Sequence, residues 1–386
     1  MSIFRSFLLI ICAVFALASP VTYAADKGFF STEPKDNEGK KWRIGYYEGG
    51  EYIAYQKHLI NTVKGLMELG WLEKTQVPKP EGEETKAIWD WLASELKSDY
   101  IEFVSDAHYS ANWDDVIRKE TVDNIVIRLN QVGDVDLMIA MGTWAGRDLA
   151  NYRHKTATLV FSSSDPLEAG IIKSVEDSGY DHVHATFDPD RFARQVQVFH
   201  EMVGFERLGV AYEDTIAGRS YAAINAVEVL AQERNFDIVR CYTQSDVSDT
   251  SLAERDVIDC FNKLVESSDA VYVTRQGGVN SRSIPSLVDI ANRNNVPTFS
   301  QSGSEEVGYG FLASLSRAGG RYVGEFHAQI IAKVFNGAKP NDLNQHFREP
   351  PKIALNLKTA EIIGFDPPVV LLGAADELFN DIHSPQ

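Results

Sequence analysis

Hydroxyl, amide, aromatic and charged side chains follow directly after the β-rich runs of this sequence. Ligands of open α/β sheets bind at the carboxyl ends of the strands, so we expect these side chains to form a ligand site. Hydroxyls and amides can hydrogen-bond a small polar molecule, and aromatic rings can stack on a flat one. The candidate ligand-binding residues are Tyr47, Glu48, Thr143, Trp144, Ser162, Ser163, Tyr212, Arg275, Gln276 and Ser302.

Thr143 is the strongest candidate among these residues. It follows Gly142 and precedes a predicted helix over Ala145–Asn151. The free N–H groups at a helix start favour an anion, and the threonine hydroxyl adds a further donor. A carboxylate is therefore the expected ligand group, although Thr143 can also serve as the cap of its helix.

The other candidates have a structural alternative beside the binding role. Arg275 is the only basic residue at these strand ends, and it can hold a ligand carboxylate or pair with an acid of a facing domain. Tyr47, Trp144 and Tyr212 can stack on a ligand or pack in the core and at the rim. The serines at positions 162–164 can donate hydrogen bonds to a ligand or form an ordinary turn.

The sequence lacks the motifs of common enzymes. It has no Gly-x-Ser-x-Gly elbow and no Walker loop, and the glycines at 142 and 146 do not have the spacing of a dinucleotide fingerprint. No Ser–His–Asp set stands out. His182 and His184 share one strand face without a supporting ligand cluster, so we expect surface strand residues rather than a metal site. We therefore expect no catalysis, no cofactor and no metal.

Two sets of β-rich runs alternate with helical stripes along the chain. The predicted strands of the first set are Trp42–Tyr47, Tyr100–Ser105, Val135–Met141 and Thr158–Ser162, and those of the second are Arg207–Tyr212, Phe236–Tyr242, Ala270–Thr274 and Val296–Ser300. Strands that are apolar on both faces and alternate with helices indicate parallel sheets covered on two sides. The sequence therefore predicts an α/β fold of two lobes, joined by a hinge of several strands.

The order of these runs predicts where the chain passes between the lobes. We expect crossings near Phe187–Pro189, Gly310–Ala313 and Ala338–Leu343, and a tail over 376–386. Lobe 1 is then 41–188 plus 312–340, and lobe 2 is 189–311 plus 341–372. An insertion in lobe 1, residues 73–99, carries Trp89 and Trp91, which we expect to pack far from the cleft.

The first 24 residues have the pattern of a secretory signal peptide. Arg5 precedes an apolar run from Phe7 to Ala18, and small residues lead to Ala24, after which we expect cleavage. The apolar run is shorter than the roughly 20 residues of a membrane-spanning helix. We therefore expect a periplasmic protein that is not embedded in the membrane.

The net charge and the cysteine content bear on the possible partners of the protein and on a possible disulfide. The net charge of −18 becomes −19 without Arg5, which argues against nucleic acid and anionic lipid as partners. The expected mature chain keeps Cys241 and Cys260. An oxidising compartment allows a disulfide between them, and two buried thiols that pack as small hydrophobes are the alternative.

An ordered set of sequence segments resembles the ABC transporter substrate-binding proteins related to the tryptophan/tyrosine-binding type. The segments are Leu159–Gly170 (LVFSSSDPLEAG), Leu208–Tyr212, Asp269–Val273, Val296–Phe299, Tyr322–Gly324 and Ala354–Asn356, with Ala360 and Gly364 after them. The resemblance covers roughly Lys41 to Leu371. It implies a type I periplasmic binding fold: two Rossmann-like lobes, three crossovers and a ligand in the cleft.

The same resemblance implies an aromatic amino acid as ligand and an ABC permease as partner. Thr143 matches a family threonine that opens a helix, and the serines before Asp165 match a family loop near the cleft. Two segments depart from the family pattern. Glu48-Gly49-Gly50-Glu51-Tyr52 stands where members often have a His-Pro-x-x-Asp-like loop, and Gln276-Gly277 stands where they often have Asp-Asn.

The second departure bears on ligand chemistry, because an α-ammonium needs a carboxylate acceptor in a desolvated cleft. The loss of this acid argues against an amino-acid ligand unless Glu48, Glu213 or Asp214 replaces it, and a neutral or carboxylate-only aromatic molecule is the alternative ligand. The leading hypothesis is an exported solute-binding protein that delivers its ligand to the permease. The alternatives are a ligand-sensing input subunit for a membrane receptor and a secreted α/β hydrolase.

Overall fold

Alternating strands and helices build the fold, as the sequence pattern predicts. The computed structural model describes residues 25–317, 320–348 and 351–385, so the predicted signal peptide lies outside the described residues. The strands are β1 (Trp42–Glu48), β2 (Ile101–Ser110), β3 (Leu137–Met141), β4 (Ala157–Phe161), β5 (Val183–Ala185), β6 (Arg207–Tyr212), β7 (Asp237–Tyr242), β8 (Ala270–Val273), β9 (Thr298–Ser300), β10 (Ala313–Arg317), β11 (Pro351–Asn356) and β12 (Glu377–Phe379).

Helices follow most of these strands. They are α1 (Ile53–Glu68), α2 (Lys86–Ser94), α3 (Asp115–Ile127), α4 (Gly142–Leu149), α5 (Arg191–Val203), α6 (Ile216–Ala222), α7 (Ile224–Arg234), α8 (Thr250–Ser267), α9 (Ile284–Arg293), α10 (Ser304–Gly308), α11 (Gly320–Phe335), α12 (Leu357–Ile363) and α13 (Val369–Ala374). A π-helical turn, Arg128–Val132, extends α3, and a 3₁₀ turn, Pro340–Asp342, follows α11.

Lobe 1 is built on a five-stranded parallel sheet in the order β2-β1-β3-β4-β5. Every residue of β3 is buried, because helices cover both faces of the sheet. Alternating residues of β1 point to opposite cores. Tyr46 packs with the side chains of α1, α2 and α11, whereas Tyr47 packs with those of α3 and α4.

Lobe 2 is built on a seven-stranded sheet in the order β12-β11-β10-β9-β8-β6-β7. Its strands are parallel except where β10 meets β11. The helices α5 and α7 cover one face, and α8 and α9 cover the other. A disulfide between Cys241 on the edge strand β7 and Cys260 on α8 ties this edge to a covering helix.

The crossings between the lobes differ in part from the expected ones. The first lies where we expected it, and there Phe187 forms a parallel bridge with His346 of a returning segment. The second is not at Gly310–Ala313, because Ala313 and Ser314 pair with β9 inside the second sheet, and the chain crosses only between β10 and α11. The third is not at Ala338–Leu343, because the turn at Pro340–Asp342 still packs on β5.

These crossings move the lobe boundaries. Residues 312–317 belong to lobe 2, and residues 341–346 remain with lobe 1. The expected tail also contains β12, which pairs in parallel with β11, so 376–386 is not a mere tail. The cause differs between the segments: Ala313–Arg317 and Glu377–Phe379 pair inside the sheet of lobe 2, whereas Asn341 and Asn344 bond to Ser178 and His184 of lobe 1.

The insertion in lobe 1 packs through its helix α2. Trp89 is fully buried and its indole N–H donates to the carbonyl oxygen of Val104 at 2.9 Å. Trp91 packs against the same core while partly exposed. The described part of the chain contains no helix that is both long and apolar enough to cross a membrane.

A candidate ligand-binding cleft between the lobes

A cavity of about 510 Å³ lies between the lobes at the carboxyl ends of their strands. Lobe 1 contributes Glu51, Tyr52, Tyr55, Gly82, Glu83, Asn112, Trp113, Thr143, Trp144, Ser162 and Ser164. Lobe 2 contributes Tyr221, Ser245–Ser248, Thr250, Ala253, Arg275–Gly277 and Asn280–Arg282. A molecule in this cavity would touch both lobes at once, which is the arrangement that lets a ligand hold two domains together.

Aromatic rings form the lobe 1 wall of the cavity. The rings of Trp113 and Trp144 meet edge to face, with centroids 5.4 Å apart. Tyr55 lies 6.3 Å from Trp113 and 5.2 Å from Tyr52, centroid to centroid. Arg118 lies 4.2 Å above the Trp144 ring and also binds Asp148 at 2.9 Å, so the ring is held from behind. The wall is therefore preorganised for a flat ligand.

The pair Gly49-Gly50 makes room for this wall. A Cβ atom on Gly49 would lie 2.6 Å from the Trp113 ring, and one on Gly50 would lie 2.5 Å from it. Trp113 itself has a φ of 54°, in the left-handed region that costs a non-glycine residue energy. An unfavourable backbone conformation at Trp113 therefore places its indole against the two glycines at the cleft.

Thr143 lies in the first turn of α4, at the wall of the cavity. Its hydroxyl is 3.3 Å from the Ser163 hydroxyl, and Ser162 beside it has a φ of 63°. Gly142, with a φ of 87°, starts the helix beneath Tyr55, where a Cβ atom would lie 1.9 Å from the tyrosine hydroxyl oxygen. The start of α4 and the serine run therefore lie side by side at the cavity.

Arg275 supplies a positive charge from lobe 2. Its backbone N–H donates to the side-chain oxygen of Gln301 at 2.6 Å, which fixes the start of its loop. Within the described ranges, no carboxylate lies within ion-pair distance of its guanidinium. The guanidinium lines both the main cavity and a small neighbouring one of about 10 Å³. It is therefore available to a ligand carboxylate.

Carboxyl groups also reach the cavity. Asp246, in the loop after β7, lines the cavity from lobe 2, and Trp144 lines it from lobe 1. Burial raises the pKa of Asp246 to about 7, and the negative charge of Glu213 adds to the shift. Burial also raises the pKa of Glu83, with the charge of Arg282 opposing it.

Glu83 corrects the expectation that the insertion lies far from the cleft. Gly82 and Glu83 line the cavity, whereas the helix α2 does not. The reason is that Gln56 donates to the carbonyl oxygens of Gly82 and Glu84, at 3.2 and 3.1 Å, and holds this stretch against α1. The insertion therefore runs past the cleft before it turns back to the core.

Two of the predicted site residues on β1 lie in the core of lobe 1. The strand includes Tyr47, as predicted, and continues through Glu48, one residue past its predicted end. The Tyr47 hydroxyl donates to Asp148 at 2.8 Å, and Glu48, 1% exposed, accepts from Tyr46 at 2.7 Å. Burial raises the pKa of Glu48 to about 7, although its hydrogen bonds oppose this. Neither residue lines the cavity.

The predicted residues of lobe 2 divide in the same way. Tyr212 is fully buried, with its ring edge-on to Tyr242 at 5.4 Å, so the expected stacking on a ligand is wrong. Ser302 does not line the cavity, and its N–H donates to the Ser300 hydroxyl at 3.1 Å. Gln276 does line it, but its amide is bonded to partners of its own lobe, among them the Thr243 hydroxyl at 2.7 Å.

The remaining predicted residues surround the ligand space. Thr143, Trp144, Ser162 and Arg275 line the main cavity, and Ser163 lines the small cavity beside it. Glu213, expected as a substitute acid, accepts the N–H groups of the loop after β7 instead.

His182 and His184 are buried, which corrects their expected surface position. His184 is fully buried, and burial lowers its pKa to about 4. The ring of His182 meets that of His154 edge-on at 4.9 Å, and burial lowers the pKa of both. The part of the chain that the structure describes has no group of three or more His, Cys, Asp or Glu side chains arranged to hold a metal.

The sequence reasoning missed Tyr55, Trp113 and Asp246. Asp246 and its neighbour Ser245 follow the predicted strand Phe236–Tyr242, so the strand-end rule would have found them had it been applied there. The glycine pair after β1 was the signal for a close-packed ring, but nothing in its spacing points to Trp113, some 60 residues away.

The lobes touch each other beside the cavity. Lys57 of α1 pairs with Glu305 of α10, and the Ser220 hydroxyl donates to the carbonyl oxygen of Asp165 at 2.7 Å. Arg219 of α6 lies 3.4 Å from Glu168. These contacts join the two lobes around the cleft.

Comparisons with known proteins agree with this architecture. The chain is 23% identical over 232 residues to the tyrosine-binding protein of Clostridioides difficile (strain R20291), a match that spans 59% of this chain and 63% of that relative. It superposes on a Streptococcus pneumoniae ABC domain in complex with L-Trp with a TM-score of 0.67 and 17% identity, over 88% of this chain and 100% of that one.

A conserved domain protein from Vibrio cholerae superposes with a TM-score of 0.66 and 19% identity, over 88% of this chain and 100% of that one. The fold is that of the type I periplasmic binding proteins. The family model for ABC transporter substrate binding proteins matches residues 114–378, most of both lobes. The chain belongs to the ABC transporter substrate-binding protein family.

Proposed function

We propose that this protein captures an aromatic amino acid or a related aromatic carboxylate outside the cytoplasm and delivers it, unchanged, to an ABC permease. The cavity between the lobes carries this proposal. It combines an aromatic wall, a helix start at Thr143 and the positive charge of Arg275. Rings bind a flat apolar group, while the helix start and the guanidinium bind a carboxylate.

Similar proteins support the choice of ligand class. The curated relative is named for tyrosine, and the Streptococcus pneumoniae structure contains L-Trp. Family membership and the predicted signal peptide support the choice of a permease partner and an extracytoplasmic location. A ligand that touches both lobes favours the closed arrangement in proportion to its preference for that state.

A thermal-unfolding screen of the mature chain tests the proposal. We expect tryptophan, tyrosine, phenylalanine or their deaminated acids to raise the melting temperature, because a ligand at one hundred times its dissociation constant adds about 2.7 kcal/mol to the free energy of unfolding. Leucine and glucose serve as controls of the same size range. If no aromatic compound raises the melting temperature above these controls, the proposed ligand class is wrong.

The ion pair between Lys57 and Glu305 is expected to favour closure weakly. Lys57→Met should weaken ligand binding by at most about fivefold, since an exposed pair contributes about 1 kcal/mol or less. The difference from wild type should shrink in calorimetric titrations at high salt, which screens exposed charges.

Lys64→Met, on the exposed face of the same helix, removes the same charge and should leave affinity unchanged. An equal loss in both variants would mean that net charge, rather than the ion pair, governs binding.

A further inference from the structure

We propose that Asp246 binds the ammonium group of the ligand, which makes amino acids, rather than aromatic acids without an amine, the substrates of this cleft. The inference rests on the proposed function and narrows it. It also explains how the chain recognises an amine although Gln276-Gly277 replaces the family's usual Asp-Asn pair.

Asp246 lies inside the cavity with few bonding partners. Its carboxylate accepts a side-chain hydrogen bond from the Ser245 hydroxyl, at the long distance of 3.4 Å. An ionised carboxylate can accept about four hydrogen bonds. The group therefore retains acceptor capacity that points into the ligand space.

No cation neutralises this carboxylate within the described chain. No Lys, Arg or His nitrogen of the described residues lies within ion-pair distance of it, and the nearby Arg118 is bound to Asp148 at 2.9 Å. Arg282, at the same cavity, is bound to Glu254 at 2.7 Å. An enclosed carboxylate without a cation is costly, and a ligand ammonium would remove that cost.

Tyrosines of both lobes face the same carboxylate. Burial, with the charge of Asp246 adding to it, raises the pKa of Tyr55 in lobe 1 and of Tyr221 in lobe 2. The carboxylate thus lies among electron-rich rings. A ligand cation bound to this carboxylate would therefore lie close to tyrosine side chains of both lobes.

Asp246 and Thr143 are placed to bind the ammonium and the carboxylate of the same amino-acid ligand. Thr143 offers the helix start for a carboxylate from lobe 1, and Asp246 lines the same cavity from lobe 2. The acceptor for an amine and the donors for a carboxylate therefore face one ligand space. The ammonium and carboxylate of an amino acid share a single carbon atom, so the two groups must bind at neighbouring places.

Other acids are poorer candidates for the amine. Glu213 already accepts two backbone N–H groups, both at 2.9 Å. Glu48 is behind the wall, and Asp214 is exposed outside the cavity. The positive charge of Arg282 already acts on Glu83 and opposes the rise in its pKa.

The proposal also predicts how binding changes with pH. Burial raises the pKa of Asp246 to about 7, Glu213 adds to the shift, and Arg118 and the Trp144 indole oppose it. An ammonium binds the ionised form, so affinity for an amino acid should fall as the pH drops below about 7. The groups around this carboxylate are Glu213 and Tyr221 of lobe 2 and Tyr52, Tyr55 and Arg118 of lobe 1.

Matched ligand pairs test the assignment. Calorimetry would compare tryptophan with indole-3-propionate, and tyrosine with 3-(4-hydroxyphenyl)propionate, on wild type and on Asp246→Asn. On wild type the amine should improve affinity by about 100-fold, as expected of a charge-assisted hydrogen bond in an enclosed site. Asp246→Asn should lose this preference and leave affinity for the deaminated acids within about threefold.

The outcomes separate the two proposals. If neither ligand class binds wild type, the proposed function fails. If the deaminated acids bind wild type as tightly as the amino acids, or if Asp246→Asn keeps the amine preference, the assignment of Asp246 is wrong while the function stands. Asp214→Asn makes the same charge change outside the cavity and should retain the preference, and the wild-type comparison does not depend on any variant folding.

Discussion

Gly142→Ala is expected to weaken ligand binding by more than about 100-fold and to lower the free energy of unfolding by about 2–4 kcal/mol. The residue has a φ of 87°, and an added Cβ would lie 1.9 Å from the Tyr55 hydroxyl oxygen. Either Tyr55 leaves the aromatic wall or the start of α4 moves. Both changes disturb the groups that face the ligand, so stability and affinity should fall together.

Gly170→Ala is the matched control for this variant. Gly170 has a φ of 68° but no atom within 4 Å of an added Cβ. Gly170→Ala should lower the free energy of unfolding by only about 1 kcal/mol, which is the cost of an alanine in the left-handed region, and it should keep wild-type affinity. Urea unfolding and calorimetric titration of both variants measure the two effects. Wild-type affinity in Gly142→Ala would show that the contact with Tyr55 does not shape the site.

Removing the disulfide is the second large expected effect. Cys241 and Cys260 are 19 residues apart in sequence, and closing a loop of this size restricts the unfolded chain by about 3 kcal/mol. The double variant Cys241→Ala/Cys260→Ala should lose about that much stability, because β7 is an edge strand with a partner on only one side. Urea unfolding of the oxidised wild type and the variant gives the difference.

Reduction provides the control for the disulfide prediction. A thiol reductant should destabilise the wild type by a similar amount and leave the double variant unaffected. A loss below about 1 kcal/mol in the variant would mean that packing around Cys260 holds the edge without the covalent bond.

Local pattern was sufficient to predict the strands that a parallel sheet buries on both faces. The predicted run Arg207–Tyr212 coincides with β6, and the predicted runs around β3 and β4 differ from them only at their ends. Such strands are continuous apolar runs between turn residues, and each has one sheet neighbour that adjoins it in chain order, β4 for β3 and β7 for β6. The two-lobed architecture follows from these runs alone.

Pairings between distant segments were not predictable in this way. Ala313 begins a short strand that fits either lobe by composition, and only its pairing with Phe299 places it in lobe 2. The exact residue at which a strand ends was also not predictable, and it decides which side chains reach the site. Because β1 runs one residue past Tyr47, Glu48 lies in the core instead of in the cleft.

The candidate site was predictable where a strand passes directly into a helix or loop that carries its own chemistry. Thr143 and Arg275 lie at such junctions, and both line the cavity. Trp113 was not predictable, because its position depends on a left-handed turn and on two glycines far away in sequence. Asp246 of lobe 2 and Trp144 of lobe 1 line the same cavity, and only the arrangement of the two lobes places them there.

The interleaving of the lobes sets an order of events for the emerging polypeptide. The helix α1 packs against α11, which is more than 250 residues later in the chain. Until synthesis delivers that later helix, the apolar stripe of α1 has no cover, which favours off-pathway association. Lobe 1 therefore cannot complete its core until most of the chain has been made.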